Sequence, residues 1–314
     1  MWRYILKRLG WMVIIMLCVT VLIFTITYFI PGDPARTMLG SLASNEEVEN
    51  MREILGLNRS YLEQLSTYLG SLIRLDFGIS WSYNVPVTDE LFARMPLTIL
   101  IGGIAMLIQI LLGIPLGVFA ATHQGKWQDY TSIGISMVLV SLPDFWVALM
   151  LVVLFSVQLN ILPAYGIDSW KCFVMPIIAT AISGIAMNAR QSRSAMLEVF
   201  RADYVTTARA KGQEENKVVW RHMFPNAMMP IITIVVGGLT RIVGGTAVIE
   251  NIFSIPGVGQ YMLNGINGMD FPVIRGSVIV LSLFSALSVL LMDLVYAFVD
   301  PRIKAQYAAG GKRG

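Results

Sequence analysis

Charge is scarce in this chain. Only 14% of its 314 residues are Asp, Glu, Lys or Arg, against roughly 25% in ordinary soluble domains, and the mean hydropathy is +0.66. That balance excludes a typical water-exposed globule. Cysteine is almost missing as well: Cys18 and Cys172 are too few and too far apart for a disulfide framework or a thiolate cage. The only histidines are His123 and His222, and no His-Glu-x-x-His occurs. No Gly-x-x-x-x-Gly-Lys-Ser/Thr phosphate cradle occurs either. A net charge of +3 without a dense basic face gives nucleic acid nothing to hold. An internal repeat is not discernible, which disfavours architectures built from inverted halves.

What the chain has instead is long apolar runs. Crossing a hydrocarbon core of about 30 Å takes about 20 apolar residues, and six stretches qualify: 9–30, 98–121, 133–158, 174–190, 228–249 and 276–299. The expected fold class is an all-α membrane protein of six transmembrane helices, TM1 to TM6 in that order. The run from Leu9 to Ile30 is too long for a signal core, and it ends in Pro31-Gly32-Asp33-Pro34. It is therefore expected to stay as a helix.

Basic residues set the expected orientation. With the amino terminus inside, cytoplasmic segments hold three before the first span, Lys126, seven from Arg190 to Arg221 and four after residue 300, while the outer loops hold seven. Both termini then face the cytoplasm, as segments 1–8 and 300–314. Residues 31–97 and 250–275 form extracytoplasmic loops, and 191–227 a cytoplasmic one. In the first outer loop, Ser44 with Glu47 and Ser60 with Glu63 match capping boxes. Leu62, Leu65, Leu69, Leu72 and Ile73 recur at helical spacing behind the second box, so that helix should pack on the protein or lie along the membrane. A structural lid is the simpler reading of this loop. Gly113 and Gly117 make a small-x-x-x-small face on the second span.

Residues 206–225, TTARAKGQEENKVVWRHMFP, place six charged side chains in a greasy chain. Gly212 divides them: a helical run Val199 to Lys211 comes before, and a second helix from Gln213 to about Phe224, closed by Pro225, is expected after. Glu214 and Glu215 in its first turn, and Arg221 and His222 in its last, would oppose the ends of the helix dipole. So short a helix is marginal alone, and its charged edge suits a docking surface for another protein. A solvated connector is the plain alternative.

The stretch resembles the EAA motif in the membrane subunits of ABC importers, which reads Glu-Ala-Ala, three residues, Gly, nine residues, Ile, one residue, Leu-Pro. Ala208, Gly212 and Pro225 match its spacing, with Phe224 at the Leu position, whereas Thr206, Thr207 and His222 depart from it. Thr207-Ala208-Arg209-Ala210-Lys211-Gly212 is similar to the wording of the peptide/nickel branch. So are Ile30-Pro31-Gly32-Asp33-Pro34, Asp76-Phe77-Gly78, Leu142-Pro143-Asp144-Phe145-Trp146, Leu162-Pro163-Ala164-Tyr165-Gly166, Ile249 to Gly259 and Val299-Asp300-Pro301-Arg302. The resemblance implies the type I ABC importer permease fold, with a second homologous permease subunit, two cytoplasmic ABC ATPases and an extracytoplasmic substrate-binding protein as partners. No cofactor is expected in this chain, because ATP and Mg would be bound by the ATPases. It implies no catalysis here, and a peptide, nickel chelate or glutathione as cargo. Residues 200–225 would form the coupling helix on the ATPase, with Gly212 as its hinge.

Arg241, flanked by Gly237 and Gly245, and Asp144, next to Pro143, are read as ionisable groups near mid-membrane, where a charge costs roughly 2.5 to 3.5 kcal/mol on the insertion scale. They are the candidates for the translocation path, as a reader of a solute carboxylate or as a mutual packing pair. Asp293, nearer the inner end of the last span, is read as structural. A secondary transporter or channel would share the spans but not the motif-bearing loop, and an intramembrane enzyme would need a catalytic set that these positions lack. The double replacement Arg241→Asp with Asp144→Arg separates the two readings. A packing pair survives the inversion with membrane abundance and uptake intact, whereas a carboxylate reader keeps abundance and loses uptake.

Overall fold

The computed structural model describes the backbone of residues 2–299 and the side chains of 5–240 and 246–295. Among the described residues every regular element is a helix, apart from one isolated bridge between Ile79 and Pro86. The first helix, α1, is Trp2–Phe29, followed by short helices α2 Pro34–Leu39, α3 Asn45–Ile54 and α4 Tyr61–Ile73. Helix α5, Val87–Ile108, passes through a π turn at Gln109–Gly113 into α6, Ile114–Thr122. Then come α7 Trp127–Ser141, α8 Asp144–Leu151 with a π turn to Gln158, and α9 Lys171–Phe200. The remaining described residues form α10 Asp203–Ala210, α11 Glu215–Lys217, α12 Phe224–Ile252, α13 Val258–Asn267 and α14 Phe271–Val299. Among the described residues five helices are long and apolar enough to cross a membrane, and six if the bent pair α7 and α8 counts as one span.

That pair differs from the single helix expected over 133–158. Its two halves meet at 93°. Pro143 has no N–H to donate and pushes the residue before it out of helical geometry, and Leu142 is accordingly extended at φ −80, ψ 126. Asp144 therefore stands in the first turn of a new helix, where the helix dipole favours an anion, rather than midway along a continuous one. The helix expected over 174–190 is also longer, since α9 continues to Phe200 with Ser192, Ala195 and Met196 buried along the way.

Close packing explains why α9 stays helical beyond its apolar stretch. A Cβ on Gly113 would come within 2.7 Å of the Asn188 Cβ. One on Gly117 would overlap the Ala189 carbonyl and approach the Ser192 Cβ to 2.7 Å. The two glycines thus let the backbones of α6 and α9 touch. At the far side Arg8 pairs with Asp293 at 2.9 Å, pinning α1 to α14.

Both capping boxes form: the Glu47 carboxylate accepts from the Ser44 N–H at 2.8 Å, and Glu63 from the Ser60 N–H at 3.0 Å. The Leu stripe of α4 divides, however. Leu62 and Ile73 are 73% and 85% exposed, while the face toward α1 is aromatic, with Tyr61 and Tyr68 each 5.5 Å from the Phe24 ring.

Gly117→Val is expected to force α6 and α9 apart at a cost of about 1–3 kcal/mol, the usual range for overpacking. Thermal unfolding of the purified chain checks it, and an unchanged midpoint would mean that the close approach is not needed.

Candidate functional site

Segments 31–86, 159–170 and 253–270 gather at one end of the bundle, joined by Ser80 to Asp270 and by the Gly166 N–H to the Phe253 carbonyl. The segment around Gly212 lies at the other. Here α9 stops at Phe200, and α10 begins after Ala202 at φ −75, ψ 143. It ends at Gly212, whose φ is +72. The Gly212 N–H bonds the Arg209 carbonyl at 2.9 Å and the Gln213 N–H bonds the Ala208 carbonyl at 3.4 Å, the paired closure of a Schellman motif. A Cβ at Gly212 would meet nothing within 4 Å. Glycine is called for by the left-handed backbone alone, not by a clash between two helices.

The second helix departs from expectation. It starts after Glu214, runs through a π turn at Val218–Met223 and continues directly into α12. Pro225 does not close it, since the wider turn of a π segment accommodates a residue that cannot donate to the ladder. Arg221 and His222 consequently sit inside a helix rather than at its end, where no unpaired carbonyls face them. His222 instead hydrogen-bonds the Gln213 side chain across the elbow at 2.8 Å.

The elbow has a buried face and an open one. Val205, Ala208, Val218, Val219 and Met223 enter a core with Ala195 and Met196 of α9 and Val118 and Ala121 of α6. Arg209 stacks 4.2 Å from the Phe200 ring and binds Glu215 through both Nε and Nη2, the former at 3.0 Å. Two parallel charge-assisted bonds fix direction as well as distance. Thr206, Thr207, Ala210, Lys211, Gly212 and Glu214 are exposed, as is Pro225, and Phe224 is half-buried. Half of the Trp220 surface is exposed. The sequence-derived residues thus fall into two groups, with Ala208, Arg209 and Glu215 bracing the elbow and the others offering its surface.

Sequence reasoning missed what anchors this segment. Asp129, buried near the start of α7, takes a two-pronged ion pair from Arg193 of α9, with Nη2 to Oδ2 at 2.8 Å, and accepts the Gly125 N–H at 3.1 Å. The two residues are far apart in sequence, and only the continuation of α9 past residue 190 brings them together.

Asp144 lines a cavity of about 260 Å³ between α5, α8, α9 and α12, with Gln109, Thr180, Asn188 and Gly237. Gln109 donates to the Thr180 carbonyl at 3.1 Å and presses on Gly184. The Arg241 and Gly245 side-chain positions lie outside the described residues. A second missed group closes the opposite end of α12. Glu250, 0% exposed, accepts from the Thr98 hydroxyl at 2.8 Å and from the Gln260 N–H at 3.0 Å, and Thr98 in turn accepts the Val258 N–H at 3.0 Å. Gly257 and Gly259 make room for this carboxylate. Among the described residues no group of three or more His, Cys, Asp or Glu is placed to hold a metal ion.

Residues 113–305 match the family model described as binding-protein-dependent transport system inner membrane component, and residues 1–102 match that of its N-terminal part. The chain is 35% identical to the dipeptide transport system permease protein of Alkalihalophilus pseudofirmus, with 97% of this chain and 100% of the relative covered. It is 33% identical to the glutathione transport system permease protein of Escherichia coli K12, over 97% and 99% of the two chains. A putative peptide transport system permease protein of Brucella abortus is 38% identical, over 96% and 98%.

Arg193→Ala is expected to destabilise the chain by ~3–5 kcal/mol, because it leaves the Asp129 carboxylate buried without its partner. Replacing both residues with alanine should cost less than the single change. Thermal unfolding of the two variants decides the matter, and a double variant that loses as much as Arg193→Ala or more would mean that the unpartnered Asp129 carboxylate carries no burial penalty.

Proposed function

Because the chain belongs to the family of binding-protein-dependent transport system inner membrane components, we propose that it is the permease subunit of an ATP-driven ABC importer and forms half of the path for di- or oligopeptides. The names of its dipeptide, glutathione and peptide relatives support that cargo class. An extracytoplasmic binding protein would deliver the solute, a second permease subunit would complete the path, and two ATPase subunits would bind ATP and Mg. Both termini and the Gly212 elbow would then face the cytoplasm.

The observation that carries this reading is the two-faced elbow. Its inner face is locked into the core at the end of α9, while Thr206, Thr207, Ala210 and Lys211 stand exposed on a capped, rigid turn. A solvated connector has no need of a Schellman closure, a stacked arginine and a two-pronged ion pair between Phe200 and Glu215. A docking element does, since a surface that transmits force must not yield before the helices behind it. Closure of the ATPases would press on α10, and the continuous helix from Glu215 through α12 would carry the displacement toward the cavity at Asp144.

Gly212→Val forces a β-branched side chain into left-handed backbone, a strain of roughly 1–2 kcal/mol, and distorts the elbow without touching the core. The variant is expected to reach the membrane and support ATP hydrolysis by the assembled complex. Peptide uptake per ATP should fall about tenfold, a coupling loss of ordinary size. Reconstituted vesicles with all subunits provide the measurement, and normal uptake per ATP would count against the role of the elbow.

A further inference from the structure

One cluster at the end of the bundle that carries α2 to α4 serves neither the elbow nor the inner cavity. Arg275, one turn into α14, is wrapped by aromatic rings: its guanidinium carbon lies 4.4 Å from the Phe24 centroid, 5.4 Å from Tyr68 and 5.5 Å from Phe271. Its Nε donates to the Thr27 hydroxyl at 2.7 Å. An arginine has five N–H donors, and among the described residues no carboxylate pairs with this one. Asp33, which shares a neighbouring cavity with Arg275, is engaged by Arg52 at 2.8 Å. A largely enclosed cation with most of its donors unspent is costly unless an acceptor arrives.

The space for that acceptor is present. A cavity of about 280 Å³ opens on Arg275 between α1, α4 and α14, and its lining includes Arg59 and Tyr68 but no acidic side chain. The Tyr68 side chain lines this cavity, with its hydroxyl buried in the wall and lacking a hydrogen-bond partner. Burial pushes the Tyr68 phenol well above its ordinary range, against the opposing pull of Arg275, so at neutral pH it is a donor. Two guanidinium groups and one phenol line it; Glu63, near enough to Arg59 for the two charges to act on each other, is spent on the Ser60 cap, and the donors that remain are the chemistry that selects an oxyanion. The cavity is too large for a lone halide, and Leu62 and Ile73 on the same helix α4 stand exposed as a membrane-surface helix requires.

We propose that this cavity binds a phosphate oxyanion through Arg275, Arg59 and Tyr68, presented either by a phospholipid headgroup or by free phosphate. The site goes beyond the importer reading and does not depend on it. Occupied, it would join the lid helix α4 to α1 and α14 through one shared anion and turn an isolated buried charge into a paired one.

The test uses the full-length chain in a maltoside detergent, which carries no phosphate. Its melting temperature is followed as dioctanoyl phosphatidylglycerol, dioctanoylglycerol or inorganic phosphate is added to wild type and to Arg59→Gln, Tyr68→Phe and Arg275→Gln. Phosphatidylglycerol is expected to raise the melting temperature where dioctanoylglycerol does not. The concentration for half effect should rise about tenfold in Arg59→Gln and in Tyr68→Phe, the loss of one charge-assisted or buried hydrogen bond. Arg275→Gln should abolish the response, and if that variant does not fold the other two carry the result. A response to inorganic phosphate alone identifies the free anion as ligand, and one to phosphatidylglycerol alone identifies the lipid. The proposal is overturned if dioctanoylglycerol acts as strongly as phosphatidylglycerol, if no addition raises the melting temperature, or if Arg59→Gln and Tyr68→Phe respond like wild type.

Discussion

The contact between α6 and α9, backbone against backbone at Gly113 and Gly117, is the constraint on which the other arrangements depend. In a membrane the hydrophobic effect does not drive helices together, because lipid tails are as apolar as the side chains. Surface complementarity has to do that work. Once α6 fixes α9, the helix can project past its apolar stretch, and there Arg193 finds Asp129. The end of α9 then offers Ala195 and Met196 as a floor for the elbow core. Widening the first contact would remove the floor, and α10 would be left without the packing that so short a helix needs to persist.

Irregular backbone follows the same economy. At membrane depth a polypeptide tolerates a broken helix only where the freed groups face protein or an enclosed cavity. The 93° bend at Leu142–Pro143 obeys this rule, because it brings the Asp144 turn to the inner cavity. The buried carboxylates obey it too. Glu250 is spent on Thr98 and on the Gln260 backbone N–H, and Asp270 on Ser80, on the Ser82 N–H and on the Val273 N–H that opens α14. Each closes a turn that would otherwise leave donors unsatisfied.

How much of this was legible depended on the range of the interaction. Ser44 with Glu47 and Ser60 with Glu63 were readable because a capping box is complete within four residues. Gly113 and Gly117 were readable as a contact face for a similar reason, although their partner was not. The break at Pro143 was visible as a proline yet read as a mere neighbour of Asp144, since an apolar run carries no sign of direction. Pro225 misled in the opposite sense: proline usually ends a helix, and the π turn that absorbs it at Val218–Met223 has no local signature. The partners of Arg193, Glu250 and Arg275 come from other helices, so composition and spacing could not have named them. Of the elbow residues, the sequence showed which carried charge and not which faced the core.

The continuity through Pro225 alters the mechanical argument. Two helices joined by a flexible break would lose a push applied at the elbow in bending. From Glu215 to Ile252 the chain is helical without interruption, about 57 Å at the rise of an α-helix. A rod of that length anchored at one end by Val218, Val219 and Met223 and at the other by Glu250 moves as a unit, with the π turn as its softest point. Gly237 and Gly238 lie between these anchors on the wall of the inner cavity. A displacement at the elbow therefore shifts the cavity wall and the Glu250 turn together, and if the chain works as an importer the inner cavity and the Thr98 contact should respond to the same push.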